Sequence, residues 1–162
     1  MIRLFDTALL DTLSGEARVA ARRRKNRNFH PDNDFPAHRL LNAIEPGSYV
    51  APHRHLDPRK DESMIVLRGR MGLVIFDDAG EVGATAVIAP DADCCGVDIP
   101  HATWHTVLAL EAGTVFFEAK AGPYLPLSAA ECAPWAPAEG QAGAAGYLAR
   151  LLRLFGAPAA PD

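Results

Sequence analysis

Short apolar runs, interrupted at regular intervals by turn residues, most constrain the fold of this chain. The run at 71–76, for example, ends at Asp77-Asp78-Ala79-Gly80. Between Arg39 and Lys120 such breaks recur about every ten residues and often carry Gly or Pro, a pattern typical of antiparallel strands in a sandwich or barrel. The sequence therefore predicts a mainly β fold with strands at 40–44, 48–55, 63–67, 71–76, 82–89, 97–99, 104–110 and 114–119.

Helices are predicted on either side of these strands. Asp6 can cap a short helix that carries Leu9, Leu10 and Leu13, and Ser14 can cap a second helix. Near the other end, an i, i+3, i+4, i+7 apolar stripe predicts an amphipathic helix within 141–155: Leu148, Leu151, Leu152 and Phe155. We expect one domain in three parts: a helical head and basic arm at 1–38, a β-barrel at 39–127, and an extended segment with a packed C-terminal helix at 128–162.

Composition narrows the class of protein. A chain of 162 residues with 49% hydrophobic residues is long enough for one domain with a sizeable core. The net charge of −4 does not favour nucleic acid, and no run of about eighteen apolar residues predicts a membrane span. The three cysteines form no disulfide framework, and the N-terminus shows no secretion signal. We therefore expect a cytoplasmic protein.

A histidine pair provides the main chemical feature. His53 and His55 would point to one face of a strand, Glu62 follows after a turn, and His105 can come from a neighbouring strand. Three imidazoles and one carboxylate suit a divalent transition metal such as Zn, Fe, Mn, Ni or Cu, with coordination positions left open. Asp61 is an alternative carboxylate, although strand alternation would point it away if Glu62 points in.

The spacing of these residues resembles the two cupin motifs. The first runs from Gly47 through the histidine pair to Glu62 and Gly69, with a longer histidine-to-glutamate loop than usual. The second is Pro100-x-Ala102-x-x-His105, with Ala102 in place of the usual Gly and Ala109 in place of the usual Asn. This resemblance implies a single double-stranded β-helix, the jelly-roll barrel of cupins.

A more extensive resemblance, over residues 18–137, is to the WbuC-type cupin metalloproteins. It rests on these segments: Arg24-Lys25-Asn26, Asn28-Phe29-His30-Pro31, Arg39-Leu40-Leu41-Asn42-Ala43-Ile44-Glu45-Pro46-Gly47-Ser48-Tyr49, Pro52-His53-Arg54-His55, Val66-Leu67-Arg68-Gly69-Arg70, Trp104-His105-Thr106 and Glu118-Ala119-Lys120-Ala121-Gly122-Pro123-Tyr124. It implies one metal ion on His53, His55, Glu62 and His105, and an association with surface-polysaccharide (O-antigen) gene clusters. It implies no particular reaction.

These features lead to two functional hypotheses. The first is a metal-dependent protein that acts on a small sugar-like or anionic molecule, with isomerase, lyase or dioxygenase chemistry if it is an enzyme. The second is a non-catalytic, metal-dependent module that binds or senses a small molecule. Neither involves nucleic acid or a membrane, and a homodimer is expected because cupins often pair through their sheets.

Other residues are candidates for the binding pocket. Lys25, Asn26 and Arg27 belong to a basic arm that can lie across the barrel mouth and hold an anion, or form a solvated basic face. Arg68 shares strand parity with Glu62 and would face inward as a substrate clamp, unless it leans to solvent at the strand end.

Candidates for acid–base roles are fewer. Glu118 lies in an apolar strand and is either a general base or an ion-paired structural acid. Tyr49 shares the predicted parity of His53 and His55, which would place it in the pocket. The remaining histidines, His30, His38 and His101, have no partners at ligand spacing and are expected at the surface or in hydrogen bonds.

Overall fold

Two antiparallel β-sheets form the body of the protein in a computed structural model that describes residues 2–156. The five-stranded sheet has the order β1-β2-β8-β3-β6, and the three-stranded sheet has the order β5-β4-β7. The strands are β1 (Arg24–Asn28), β2 (Ala37–Ile44), β3 (Glu62–Arg68), β4 (Met71–Phe76), β5 (Val82–Ile88), β6 (Gly96–Ile99), β7 (Trp104–Ala109) and β8 (Thr114–Ala121).

The main core lies between these two sheets. Strand β3 shows the alternation that such a core requires, because Glu62, Met64 and Val66 are buried while Ser63 and Ile65 are exposed. The buried side chains come from both sheets and include Met64, Val66, Met71, Leu73, Val107 and Phe116. The fold is therefore the mainly β, cupin-type jelly roll with flanking helices that the sequence predicted.

A second core covers the outer face of the three-stranded sheet. Helix α2 (Ala144–Arg153) packs there, which explains why every residue of β7 is buried rather than every second one. Its side chains Leu148, Leu151 and Leu152 join Val74 and Leu108 in one cluster. The predicted apolar stripe is thus confirmed, although the helix is shorter than the predicted segment. Residues 157–162 of the predicted tail lie outside the described residues.

The N-terminal region differs from its prediction in two respects. One helix, α1 (Thr7–Val19), replaces the two predicted ones; Asp6 caps it by accepting from the Leu9 amide at 2.9 Å. Ser14 lies buried inside this helix, where its hydroxyl accepts a hydrogen bond from Arg68 instead of capping a helix start. The basic arm contains strand β1, which pairs with β2 despite its polar sequence, because strand formation depends on neighbours more than on intrinsic preference.

The predicted strand at 48–55 is wrong. Within this segment, ladder pairing is limited to isolated bridges from His53 to His105 and to Cys132. Pro52 has no backbone N–H to donate, which opposes a continuous ladder here. Neither helix within residues 2–156 has the length and apolar character needed to cross a bilayer.

Candidate metal centre

Buried Glu62 is at the centre of a cluster formed by the half-buried His53 and His55 and the buried His105. It is the first residue of β3, and its side chain is 3% exposed. His55 Nε2 lies 3.2 Å from Glu62 Oε1, and His105 Nε2 lies 3.0 Å from Glu62 Oε2. His53, His55 and Glu62 each offer a ligand atom within 4.8 Å of the other two. The structure therefore brings together all four residues that the sequence singled out.

Backbone hydrogen bonds hold the histidine segment against β7. His53 N donates to His105 O at 3.0 Å, and His105 N donates to His53 O at 2.9 Å. In the turn before β7, Ala102 N donates to His55 O at 2.6 Å. These contacts position the histidine backbones without a regular strand at 48–55.

Two of the imidazole rings are oriented by carbonyl groups. His53 Nδ1 lies 3.1 Å from Ala51 O, and His105 Nδ1 lies 2.9 Å from Thr103 O. A carbonyl oxygen only accepts, so Nδ1 carries the hydrogen in both contacts and the Nε2 lone pair of the neutral ring is left for a ligand. Burial, reinforced by the nearby His105 ring, lowers the pKa of His53 to about 3, so His53 is neutral at pH 7.

Several polar atoms of the cluster have no hydrogen bond. Among the described residues, His55 Nε2, His105 Nε2 and Glu62 Oε2 are buried without a partner in suitable geometry, even though they lie close together. Buried polar groups are normally paired, so a convergent set of unpaired nitrogen and oxygen atoms fits a bound ion at the centre. Two nitrogens and a carboxylate oxygen are ligands that divalent transition metals accept.

Lys120 links the cluster to a second carboxylate. Its Nζ lies 2.7 Å from Glu62 Oε1 and 2.7 Å from Glu118 Oε1, and Asn42 Nδ2 donates to Glu118 Oε2 at 2.6 Å. Burial lowers the pKa of Lys120, but the two carboxylates outweigh it and raise the pKa overall. Burial likewise raises the pKa of Glu62, but His105, His55 and Lys120 together bring it below its usual range.

The comparisons with known proteins place this chain in a family. A family model described as "Domain of unknown function (DUF6016)" matches residues 5–88, more than half of the chain. The chain belongs to this family. Comparison with curated proteins found no relative by sequence.

Solved structures are similar to this DUF6016 protein. The conserved SPY1581 protein of unknown function from Streptococcus pyogenes is 14% identical with a TM-score of 0.53, and the match covers 77% of this chain and 91% of that one. KdgF from Halomonas sp. is 18% identical with a TM-score of 0.49, over 64% of this chain and 83% of that one. Oxalate oxidase in complex with the substrate analogue glycolate is 13% identical with a TM-score of 0.47, over 64% and 53%.

The basic arm borders a cavity beside the candidate metal centre of this DUF6016 protein. A cavity of about 180 Å³ is lined by His53, Glu62 and His105 together with Lys25 and Asn26. Arg27, the third predicted arm residue, is not among its lining residues and is exposed. Two further arm residues, Arg22 and Arg24, also line the cavity, and both form ion pairs with Glu139.

The predicted inward position of Arg68 is wrong. The pairing of β3 with β8 shifts register between Val66 and Arg68, and such a bulge reverses the side on which later side chains lie. The guanidinium instead donates to Leu10 O at 2.9 Å, Ser14 Oγ at 2.6 Å and Gly113 O at 3.2 Å. Arg68 therefore fastens helix α1 and does not clamp a substrate.

The predicted pocket position of Tyr49 is also wrong. Its hydroxyl donates to Pro137 O at 2.7 Å, and its ring packs edge-on against Tyr147 with centroids 6.1 Å apart. Tyr49 would face the cavity only on a regular strand at 48–55, and without such a strand Val50 lines the cavity instead. Tyr49 joins the α2 cluster and lies outside the cavity.

Glu118 takes the position of the ion-paired acid, one of its two predicted roles, and it also lines the cavity. Sequence reasoning missed its partner Lys120. The i, i+2 spacing of Glu118 and Lys120 on one strand could have found that residue, because both side chains lie on the same face. Asp61, the alternative ligand, is directed elsewhere: its Oδ1 accepts from His101 N and contacts His101 Nδ1, both at 2.8 Å.

Proposed function

We propose that this DUF6016 protein binds one divalent transition-metal ion, such as Zn, Fe, Mn or Ni, through His53, His55, Glu62 and His105. It acts there on a small sugar-like or anionic molecule. The observation that carries this proposal is the convergence of the buried, unpaired Nε2 atoms of His55 and His105 on the two oxygens of Glu62. Such a donor set would otherwise carry an unexplained desolvation cost.

A bound ion would supply Lewis acidity, which polarises a carbonyl or hydroxyl oxygen of a ligand and lowers the pKa of bound water. The chain's own residues prepare that site. The carbonyls of Ala51 and Thr103 hold two imidazole rings in the ligating tautomer. Lys120 fixes Glu62 from the side by its 2.7 Å ion pair, while Lys25 and Asn26 border the space that a ligand would fill.

We further propose that the protein is a WbuC-type cupin with a role in surface-polysaccharide biosynthesis, on the basis of the motifs described above. We propose that it is cytoplasmic, because its three cysteines form no disulfide framework, and that it is a homodimer, because cupins often pair through their sheets. We also propose that the head and arm at 1–38, the barrel at 39–127 and the tail at 128–162 fold as one unit. Pairing of β1 with β2, which joins the first two parts, supports that organisation.

One observation favours the non-catalytic alternative of a metal-dependent binding or sensing module. Neither predicted acid–base residue is poised for proton transfer, because Glu118 is engaged by Lys120 and Asn42 and Tyr49 lies outside the cavity. A thermal-shift screen of small acids and sugar nucleotides, with and without metal, identifies ligands of either class. Conversion of a ligand that binds only the metal form, followed by NMR, supports the enzyme; unchanged ligand supports the sensor.

Metal content tests the proposed centre directly. Purified protein should contain one ion per chain by elemental analysis, and replacing both His53 and His55 with alanine should remove it. His101→Ala is the matched control. His101 is an exposed histidine on the loop before His105, and it pairs with Asp61 rather than with the cluster. Full metal retention by the double variant would refute the ligand assignment.

A further inference from the structure

All four asparagines of the chain line a single cavity of about 350 Å³ beside the candidate centre. Asn26 and Asn28 come from β1, Asn33 from the following loop and Asn42 from β2. The remaining lining residues are His30, His38, Leu40, Glu118, Lys120 and Tyr124. A chain with so few asparagines has thus placed all of them around one concave surface.

Sheet register makes this cavity continuous with the metal site. Lys120 pairs with Glu62 on one side and with His38 on the other, so these three residues form one row across β3, β8 and β2. Neighbouring strands are about 4.8 Å apart, which places His38 roughly 10 Å from Glu62 across the sheet. Both cavities share Asn26, Asn42, Glu118 and Lys120 as lining residues, so one small ligand can span them.

The electrostatics of this cavity do not favour an anion. Its charged lining residues, within the described part of the chain, are Glu118 and Lys120, which pair with each other at 2.7 Å. His30 and His38 stack with centroids 4.0 Å apart, and burial together with His30 lowers the pKa of His38. The basic side chains of the arm border the neighbouring cavity instead.

The amide groups are suited to hydroxyl groups. Each asparagine offers a carbonyl acceptor and an NH2 donor, which matches a hydroxyl that both donates and accepts. Asn26 Nδ2 donates to Asn28 Oδ1 at 2.7 Å, which orients these two neighbouring amides and still leaves each with hydrogen-bonding capacity. At the edge, Tyr124 is 57% exposed, and its aromatic ring can pack against the C–H groups of a sugar ring.

We propose that this cavity binds a neutral polyhydroxylated ring, such as a monosaccharide or the sugar unit of a larger ligand. The hydroxyl groups of this ring hydrogen-bond to Asn26, Asn28 and Asn42. The ring's orientation, with its other end toward Glu62, rests on the proposed function, whereas the asparagine contacts do not. The asparagine cavity would thus recognise hydroxyl groups, whereas any anionic group of the ligand would lie in the neighbouring cavity, which the basic side chains of the arm border.

Side-chain amide NMR provides a direct test. The chain has four asparagines and one glutamine, so a ¹⁵N-correlated spectrum contains five side-chain NH2 pairs. Gln141 is exposed, lies outside the cavity and serves as the internal reference. The metal-loaded protein and the His53/His55 double alanine variant are each titrated with neutral sugars: glucose, galactose, mannose, fucose and N-acetylglucosamine. Phosphate and oxalate are titrated separately at matched ionic strength.

We expect at least one neutral sugar to shift the Asn26 and Asn28 pairs saturably while the Gln141 pair stays fixed. Asn28→Ala should weaken that sugar about three- to tenfold, the effect of losing one hydrogen bond. Asn28 is an exposed strand residue whose backbone pairing with Leu40 survives this change, so the variant should fold. Gln141→Ala is the matched control and should leave affinity unchanged.

The outcomes separate this proposal from the metal proposal. Failure of every neutral sugar to move the asparagine pairs, or a preference of these pairs for phosphate or oxalate, overturns the sugar assignment even if metal analysis supports the centre. Unchanged affinity in Asn28→Ala also overturns it. Sugar shifts that persist in the double histidine variant support the cavity, even if the metal content contradicts the centre.

Discussion

Replacing Arg68 with methionine tests whether this guanidinium fastens helix α1 or serves a ligand. Methionine keeps much of the aliphatic length and removes every hydrogen bond. Arg68 donates to two carbonyls, Leu10 O on the helix and Gly113 O before β8, and to the buried Ser14 hydroxyl. It also pairs with Asp11, whose side chain is 63% exposed. The helix should therefore be held less firmly in the variant.

The contacts set the size of the effect. The pair with exposed Asp11 contributes little, on the order of 0–1 kcal/mol. Hydrogen bonds from a charged donor are worth about 1.5–3 kcal/mol each, but these share one side chain and do not add independently. We expect a loss of about 2–4 kcal/mol in the free energy of unfolding, which lowers the melting temperature by roughly 5–15 °C in a chain of this size.

Urea and thermal unfolding measure this loss, with metal content as a parallel readout. Arg59→Met is the matched control, because Arg59 is exposed and pairs with Asp57 at the surface. Lysine at position 68 should recover part of the stability. An Arg68→Met protein that melts like the wild type but loses ligand binding would refute the structural role and restore the substrate clamp.

For three further substitutions, the structure predicts whether the free energy of unfolding rises or falls. The amides of Leu56 and Ser128 donate hydrogen bonds to Glu131 and lower its pKa from 4.5 to about 2. Compared with Glu131→Gln, the wild type should therefore have its full stability advantage above pH 4.5 and lose it as the pH falls through 2. Urea unfolding at a series of pH values measures this difference. Leu151 is 1% exposed, so Leu151→Ala should lower the free energy of unfolding by about 2–5 kcal/mol, measured by denaturant unfolding. Ala102→Gly should stabilise by about 0.5–1 kcal/mol by the same measurement, because Ala102 has a φ of 61°.

Much of the fold followed from local patterns that the tertiary structure respects. Strand β4 (Met71–Phe76) has the predicted boundaries because an apolar run meets a turn sequence at its end. Strand β1 was not predictable in this way, since Lys25, Asn26 and Arg27 have no strand preference of their own. It forms because the edge of β2 offers backbone partners, which is a property of the assembled sheet.

The site was predictable in its residues and less so in its geometry. The spacing of His53, His55, Glu62 and His105 predicted that they would meet, although 48–55 is not the regular strand on which side chains would alternate. Carbonyl contacts and the bridge between His53 and His105 orient the rings instead. Arg68 likewise departs from its predicted side, because side chains alternate predictably only along an uninterrupted strand.

The charges inside the barrel divide its interior into two ends. Glu62 and Glu118 are both buried, and one ammonium group, Lys120, contacts each of them at 2.7 Å. One positive charge does not neutralise two carboxylates, and an excess negative charge is costly in a medium that solvates it poorly. We infer that the excess lies at Glu62, where unpaired histidine nitrogens converge, because Asn42 already supports Glu118. A divalent ion is thus favoured at the Glu62 end, whereas the Lys120–Glu118 pair keeps the asparagine end neutral and suited to hydroxyl groups.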